Sequence, residues 1–291
     1  MEFVECDIFG NEIKDDPILE HPYSEERTSV LDTKSGPWRN RVNLWKGLGI
    51  KSEVGRDVKT FHISEWMGKK TKGGNKGIWD ISIFDPALCE VVYRWLCPSG
   101  GKILDPFAGG SVRGIVANYL GYNYTGIDIR PEQVESNREQ AGKITPANPP
   151  KWIVGDSSKV LGNVTEEFDL VFSCPPYGDL ETYSDIQGDI SNIHSYEKFL
   201  NAYKQIICKC VQKLKRGGQA CFVVGEFRGK DGNYVGFVPD TIGAFVEAGM
   251  VYVEEAILLN CISSASLRAR ISMKTKKLTK THQNVLIFRK R

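Results

Sequence analysis

From about residue 84 onward, short apolar segments alternate with segments whose apolar residues recur at helical spacing. This alternation constrains the fold, because strands that alternate with helices form right-handed βαβ units around a parallel sheet. The predicted strands are residues 102–104, 124–129, 152–154, 170–172, 220–224, 251–259 and 284–288, and the predicted helices are 84–96, 112–120, 131–141, 196–214 and 239–248. No helical pattern separates the last two strands, so we expect a Rossmann-like α/β fold with a mostly parallel, seven-stranded sheet and an antiparallel C-terminal hairpin at its edge.

The pattern divides the chain into an N-terminal arm with a basic loop, residues 1–78, and a core domain, residues 79–291. Proline and glycine interrupt the first 60 residues, which interleave aromatic and basic side chains at Trp38, Arg39, Arg41, Trp45 and Arg56. Two interpretations are open: an arm that touches nucleic acid, or a structural wrap whose tryptophans are buried. Residues 68–77 are rich in glycine and lysine, which is typical of a loop.

The sequence carries no signal for a membrane or for export. No stretch approaches the roughly 20 apolar residues of a membrane span, and the acidic start MEFVECDIFGNE lacks the regions of a signal peptide. We therefore expect a soluble, cytoplasmic protein that is a monomer or a weak dimer.

The 8 cysteines form no C-x-x-C pair and no zinc-ligand spacing, so we expect mostly buried thiols and no metal site.

The net charge of +2 conceals an uneven distribution of charge along the chain. No acidic residue follows Glu255, whereas residues 268–291 carry nine lysines and arginines, and residues 69–76 form a second basic stretch. One such run alone is typical of a solvated surface. Two acid-free runs in one chain favour contacts with the phosphates of nucleic acid.

Acidic residues close three successive predicted strands. Asp105 opens the segment DPFAGG, the glycine turn (residues 105–110), whose glycines allow a ligand to approach the backbone closely. Asp128 follows at the spacing at which a carboxylate holds ribose hydroxyls, and Asp156 stands where a side chain can accept from an adenine amino group. The pyrophosphate-binding pattern G-x-G-x-x-G is absent, which favours an adenosine cofactor without phosphates, S-adenosylmethionine (SAM), over a nicotinamide cofactor. The predicted cofactor residues also include Pro106, Phe107, Gly109, Gly110, Ile129 and Ser157.

The segment CPPY, the Pro-Pro corner (residues 174–177), follows the predicted strand 170–172. Pro175, Pro176 and Tyr177 form a rigid corner at a strand end, where a flat ring can stack on the tyrosine. Backbone carbonyls there can meet the polar edge of that ring. Together with the adenosine site, the corner predicts chemistry on a nucleobase.

These segments resemble, as a set and in this order, the successive motifs of the amino-type DNA methyltransferases. The resemblance covers about residues 80–291 and has the gamma-like motif order; it is carried by DPFAGG at 105–110, Asp128, Gly155, Asp156 and CPPY at 174–177. The segment SIFDP, with Ser82, Phe84 and Pro86, resembles the extra cofactor motif of that family, and HQNVLIFR at 282–289 is similar to its last strand.

The resemblance implies a class I methyltransferase fold, SAM as cofactor and DNA as partner. A base would be turned out of the duplex, because its reacting atom is otherwise out of reach. Restriction–modification is the setting that this family suggests. Residues 1–60 also resemble the leader of phage and prophage methylase-like proteins.

One position departs from the family pattern. The family has Asp, Asn or Ser directly before the two prolines, where this sequence has Cys174, and a thiol is a poor acceptor for an amino group. Ser173, one residue earlier, is expected to point away from the base. A thiolate that adds to C6 of cytosine activates C5 for methylation. That reaction needs an acid near N3 and a cation near O2, and Glu226 and the pair Arg268 and Arg270 are similar to those motifs of cytosine C5 methyltransferases.

Methylation of cytosine at C5 through Cys174 is therefore the preferred hypothesis, and several alternatives stay open. In one, Cys174 is a tolerated small residue and methylation occurs at an exocyclic amino group, cytosine N4 or adenine N6. In another, Glu226 pairs with Arg228, and the Arg-x-Arg segment binds only phosphate. The chain can also be an RNA or small-molecule methyltransferase, or a nucleic-acid-binding protein without activity.

Overall fold

The computed structural model describes residues 16–23, 27–51, 84–177, 184, 186–229, 231–259, 269, 273 and 276–291. The strands are β1 Val30–Asp32, β2 Lys102–Asp105, β3 Asn123–Asp128, β4 Lys151–Val154, β5 Phe168–Ser173, β6 Leu214–Val224, β7 Met250–Leu259 and β8 His282–Lys290. The helices are α1 Pro17–Glu20, α2 Gly36–Gly47, α3 Pro86–Leu96, α4 Val112–Tyr119, α5 Pro131–Ile144, α6 Ser157–Val160, α7 Tyr196–Lys213 and α8 Phe237–Glu247.

The described strands form one sheet in the order β1-β7-β8-β6-β5-β2-β3-β4. β8 runs antiparallel to both of its neighbours, β6 and β7, and the other pairings between these strands are parallel. The predicted Rossmann-like architecture, with a mostly parallel sheet and an antiparallel C-terminal hairpin, is confirmed.

The position of the hairpin and the number of strands differ from the prediction. β8 inserts between β6 and β7, with Leu286 opposite Phe222 on one side and Val285 opposite Ala256 on the other, so the hairpin does not form the sheet edge. β1 pairs in parallel with the outer side of β7 and makes the sheet eight-stranded. A strand of only 3 residues is too short to show a recognisable alternation in the sequence.

Helices cover both faces of the sheet and create two apolar layers. On one face, α2, α3, α4 and α5 bury side chains such as Trp38, Tyr93 and Phe172. On the other face, α7 and α8 bury Phe199 and Phe245. Strands covered on both sides are continuously apolar, which is why the central strands are recognisable in the sequence.

The N-terminal segment is joined to the core through Glu90 of α3, whose side chain is fully buried. Its carboxylate accepts hydrogen bonds from Arg41 Nε and Nη2, both at 2.7 Å, and from Trp45 Nε1 at 2.8 Å. Arg94 adds a contact at 3.1 Å. Removing one partner of such a pair leaves an uncompensated buried charge, so Arg41 and Glu90 depend on each other.

Trp38 and Trp45 are fully buried, and Trp38 Nε1 donates to Asp85 at 2.8 Å. Within residues 27–51, Trp38 and Trp45 therefore act as part of a structural wrap on α3. The boundary at residue 78 and the loop at 68–77 stay predictions, because residues 52–83 lie outside the described part of the chain. None of the described helices combines the length and the apolar character of a membrane span.

We predict that Arg41→Met lowers the free energy of unfolding by about 3–5 kcal/mol, because it leaves the buried Glu90 carboxylate without its main partner. Urea denaturation followed by circular dichroism measures the change. Arg27→Met is the matched control, since the Arg27 and Glu254 side chains are 49% and 52% exposed and an exposed pair contributes about 1 kcal/mol or less. Equal losses in the two variants would contradict a dependence on the buried pair.

Candidate active site

The strand order of the sheet reverses between β2 and β5. From β2 the chain adds β3 and β4 on one side, and it then returns to place β5 and β6 on the other. Ligands of such sheets bind outside the carboxyl ends of the strands at this switch point. β2 ends at Asp105 and the neighbouring parallel strand β5 ends at Ser173, so the glycine turn and the Pro-Pro corner begin side by side.

Asp105 is the centre of a buried hydrogen-bond network that joins the two segments. Its Oδ1 accepts from Ser173 Oγ at 2.6 Å and from the backbone N–H of Phe107 at 3.1 Å. Its Oδ2 accepts from Arg113 Nε at 2.5 Å and from the Tyr124 hydroxyl at 2.7 Å. Asp105 is completely buried and orders the glycine turn from behind, and its role as a cofactor-binding residue stays a prediction. The side chain of Ser173 is turned towards this network.

Arg113 of α4 is a residue of the site that the sequence analysis missed. Its Nη2 donates to the carbonyls of Phe107 at 2.6 Å and Ala108 at 2.9 Å. Its guanidinium carbon lies 4.6 Å from the centre of the Phe84 ring, which brings this predicted cofactor residue to the turn. Arg113 thus holds both the carboxylate and the backbone of the glycine turn. The available signal was a single arginine within the apolar helix that directly follows the turn.

Asp128, at the end of β3, holds the glycine turn from the other side. Its Oδ2 accepts from the backbone N–H of Gly109 at 2.9 Å, and its Oδ1 accepts from that of Arg130 at 2.9 Å. Burial raises the pKa of Asp128, whereas the charge of Arg130 lowers it. The side chain is 11% exposed. Each carboxylate oxygen retains acceptor capacity, with which Asp128 can bind the hydroxyls of a ribose.

The end of β4 joins the same cluster. Asp156 Oδ1 accepts from the backbone N–H of Ser158 at 2.8 Å and caps α6. Ser157 Oγ donates to the carbonyl of Pro106 at 2.5 Å. We call this edge of β2, β3 and β4 the cofactor seat; it contains the predicted residues Asp105, Pro106, Phe107, Gly109, Gly110, Asp128, Ile129, Asp156 and Ser157. Pro86, also predicted, is buried in the first turn of α3.

The segment that follows the Pro-Pro corner returns to this seat. Gly188 has a φ of +100°, and a Cβ built there would lie 2.9 Å from Asp156 Oδ2. Asp189 accepts from the backbone N–H and the hydroxyl of Ser191 at 2.9 and 2.7 Å. Besides burial, the charge of Asp189 contributes to the raised pKa of Asp128. Residues 186–192 therefore lie against the cofactor seat.

In the Pro-Pro corner, the side chains of Cys174 and Tyr177 are both partly exposed. Cys174 Sγ lies 3.8 Å from the hydroxyl oxygen of Tyr177. Gln283, at the start of β8, donates to the same oxygen at 2.6 Å and is a second residue that the sequence analysis missed. Pro175 is buried and Pro176 is partly exposed. The corner is thus held by a residue of the last strand.

An aromatic cluster continues from the corner to the segment that follows β6 and to the start of α8. The rings of Tyr177 and Phe227 are nearly parallel, with an interplanar angle of 16° and centroids 6.5 Å apart. Phe237 meets Tyr177 edge to face at 5.8 Å. These contacts support the tyrosine ring on which a base is predicted to stack.

Glu226 lies beside this cluster and is engaged by the backbone. Its Oε1 accepts from the N–H groups of Phe227, Gly236 and Phe237 at 3.3, 3.0 and 3.0 Å. Its Oε2 accepts from Val238 at 3.4 Å, so the carboxylate caps the N-terminus of α8. Its role as an acid near N3 stays a prediction.

Three predicted site residues, Ser82, Arg268 and Arg270, lie outside the described residues, as do the loop at 68–77 and most of residues 260–275. Within the described part of the chain, no group of three or more His, Cys, Asp or Glu side chains is arranged to hold a metal ion.

Burial raises the pKa of the Cys97 thiol to about 12, and the pKa values of Cys89, Cys210 and Cys221 are also raised by burial. Cys174 differs from these thiols in being partly exposed.

No protein-family model matches this sequence, and no curated protein matches it. The fold is similar to solved structures of methyltransferases. TrmN from Thermus thermophilus is 14% identical with a TM-score of 0.47, over 71% of this chain and 49% of its own, so the chain spans about half of its length. Magnesium protoporphyrin IX methyltransferase (ChlM) from Synechocystis, with bound SAM, is 14% identical with a TM-score of 0.47, over 82% of this chain and 97% of its own. A methyltransferase from Pyrococcus furiosus is 15% identical with a TM-score of 0.46, over 71% and 83%. These likenesses are likenesses of fold.

We predict that Gly188→Ala lowers the free energy of unfolding by about 1–3 kcal/mol, because alanine is strained at positive φ and its methyl group meets Asp156. Urea denaturation measures the loss. Gly142→Ala, on α5, is the control: its Cβ would have no neighbour within 4 Å, and alanine favours a helix by up to about 1 kcal/mol. A Gly188→Ala protein as stable as the parent would show that residues 186–192 do not lie against the seat.

Proposed function

We propose that this protein is a SAM-dependent methyltransferase that acts on a cytosine base turned out of DNA and methylates it at C5 through Cys174. One observation carries the proposal: the bond between Ser173 and Asp105, which couples the Pro-Pro corner to the glycine turn at the switch point of the sheet. A site for an adenosine and a slot for a flat ring are then adjacent, as a transfer between cofactor and base requires.

The residues of the cofactor seat fit the adenosine part of SAM. Asp128 would accept from the ribose hydroxyls, and Gly109 and Gly110 would let the ligand approach the backbone. Asp156 would accept from the adenine amino group with the oxygen that does not cap α6. SAM, when bound, supplies a methyl group attached to a sulfonium sulfur. Methyl transfer needs little acid–base assistance, so the main task of the protein is to hold the reacting atoms in line.

Cys174 supplies the activation that carbon C5 of cytosine lacks. Its thiolate would add to C6 and form a carbon–sulfur bond, and the ring electrons would shift so that C5 takes the methyl group, whose bond to the sulfonium sulfur breaks and leaves a neutral thioether. Loss of the proton from C5 to water and departure of the thiolate from C6 would then restore the aromatic ring. Tyr177 would hold the base by stacking, and its own ring is supported by Phe227 and Phe237.

Methylation of an exocyclic amino group, cytosine N4 or adenine N6, is the second candidate. Glu226 favours it, because four backbone N–H groups already occupy the carboxylate that the C5 reaction would need near N3. In that reaction, carbonyl groups of the Pro-Pro corner would accept from the amino group, and Cys174 would have no covalent role.

We predict that DNA treated with the protein and SAM contains 5-methylcytosine, measured by nucleoside mass spectrometry. Cys174→Ala should lower turnover by more than about a thousandfold, because it removes the nucleophile. Cys208→Ala, at an exposed thiol on α7, is the matched control and should retain activity. DNA with 5-fluorocytosine should trap the wild type covalently, because fluorine at C5 cannot leave as a proton does.

The same assay separates the alternatives. N4-methylcytosine or N6-methyladenine, with near-normal activity in Cys174→Ala, would assign the amino-group reaction and remove the thiolate mechanism. Preferential methylation of RNA over DNA at equal concentration would assign an RNA substrate. Binding of SAM without methylation of either would indicate a different acceptor.

We predict that SAM binds more weakly as the pH falls, with a transition above the ordinary aspartate value of 3.8, because burial raises the pKa of Asp128. The carboxylate is ionised above its raised pKa and accepts from the ribose; protonation below it weakens that acceptor. Calorimetric titration at several pH values, within the range where circular dichroism shows folded protein, measures the effect. Asp128→Asn should bind weakly without this pH dependence, and an unchanged transition in that variant would exclude Asp128 as its source.

A further inference from the structure

A short hairpin follows β6 directly and lies beside the Pro-Pro corner. Arg228 and Tyr234 form an antiparallel bridge, and the N–H of Gly229 donates to the carbonyl of Asn233 at 2.9 Å. Glu226 holds the base of this hairpin, because it accepts from the N–H groups of Phe227, at its start, and of Gly236, which directly follows it. We call residues 227–235 the β6 hairpin; residue 230 lies outside the described residues.

The β6 hairpin is connected to the candidate base site through one ring. Phe227 lies nearly parallel to Tyr177 and meets Tyr196 edge to face, with centroids 6.1 Å apart. A base that stacks on the other face of Tyr177 would lie one ring away from the hairpin. The atoms of the nucleic acid next to that base are the phosphates and sugars of the same strand.

Two cationic groups converge on the outer part of the β6 hairpin. Arg228 Nη1 and Lys277 Nζ both donate to the carbonyl oxygen of Gly232, at 3.1 and 2.6 Å. The Arg228 guanidinium carbon also lies 4.1 Å from the centre of the Tyr234 ring. The carboxylate of the exposed Asp231 is bonded to Asn233, at 3.0 and 2.9 Å.

Arg228 and Lys277 donate to one oxygen and repel each other. The carboxylate of Asp231 attracts Lys277 and lessens this repulsion, and a phosphate bound by both cations would lessen it further. A phosphate offers several acceptor oxygens to an arginine and a lysine together. Tyr234 is 48% exposed and presents an aromatic surface beside the two cations. Cationic groups next to an exposed aromatic ring are typical of surfaces that bind nucleic acid strands.

We propose that the β6 hairpin and Lys277 bind phosphates of the nucleic acid strand whose base enters the Pro-Pro corner, with Arg228 and Lys277 as the contacts. The assignment rests on the proposed function and adds to it the surface that positions the strand. Lys277 belongs to the C-terminal basic run in which the sequence already predicts phosphate contacts, and the β6 hairpin adds Arg228 to that prediction.

Fluorescence anisotropy with a labelled DNA duplex, and with an RNA duplex of matching sequence, tests this assignment across about 50–200 mM NaCl. The test variant is the double substitution Arg228→Gln and Lys277→Gln. We expect it to bind about five- to tenfold more weakly at low salt, with the slope of log affinity against log salt reduced by about 2, because two phosphate contacts are lost. Its affinity for SAM should be unchanged.

The matched control is Lys102→Gln with Lys151→Gln, which removes the same charge at the amino ends of β2 and β4, where both lysines face Glu166. It should bind as the wild type does. The conservative variant Arg228→Lys with Lys277→Arg should retain the salt slope, which separates a charge effect from a loss of folding.

The outcomes distinguish the two proposals. If the wild type binds nucleic acid and the test variant binds with the same affinity and slope, the hairpin assignment is wrong and the proposed function stands. If the wild type binds SAM but neither duplex, the nucleic acid substrate itself is wrong and the assignment falls with it. If poly-glutamate displaced the labelled DNA as effectively as unlabelled DNA does, the surface would be assigned to an acidic protein and our assignment would be wrong.

Discussion

The buried pair of Asp105 and Arg113 is the interaction on which the arrangement of the candidate site depends. Both side chains are almost without solvent contact, at 0% and 6% exposure, so each charge needs compensation inside the protein. Asp105 obtains it from four donors, and Arg113 also from two backbone carbonyls. Because these partners come from the glycine turn, β3 and β5, the geometry of one pair fixes the positions of the glycine turn and the Pro-Pro corner together.

Acidic residues around the site serve mainly to hold backbone groups. Asp128 accepts from Gly109, Asp156 caps α6, and Glu226 caps α8. Unsatisfied N–H groups at turns and helix starts are costly when they are buried, and a carboxylate satisfies more than one of them. The consequence is a site shaped by ordered backbone, in which Asp128 is both a support of the turn and a predicted ligand for the ribose.

The insertion of β8 between β6 and β7 links the end of the chain to the site. It brings Gln283 to the hydroxyl of Tyr177 and leaves Lys277, five residues before β8, against the β6 hairpin. Residues that are far apart in sequence therefore meet at the carboxyl edge of the sheet. An antiparallel last strand can do this, because its first residues lie where the neighbouring parallel strands end.

The sequence by itself determined the fold class and the order of elements, because strands buried on both faces and helices with one apolar face leave regular patterns. It also indicated the glycine turn, Asp128, Asp156 and the Pro-Pro corner, since those positions follow directly from strand ends. Arg113, Gln283, the buried Glu90 pair and the insertion of β8 were decided only by the tertiary structure. Contacts between distant segments depend on strand order and on which charges become buried together, and neither leaves a periodic signal along the chain.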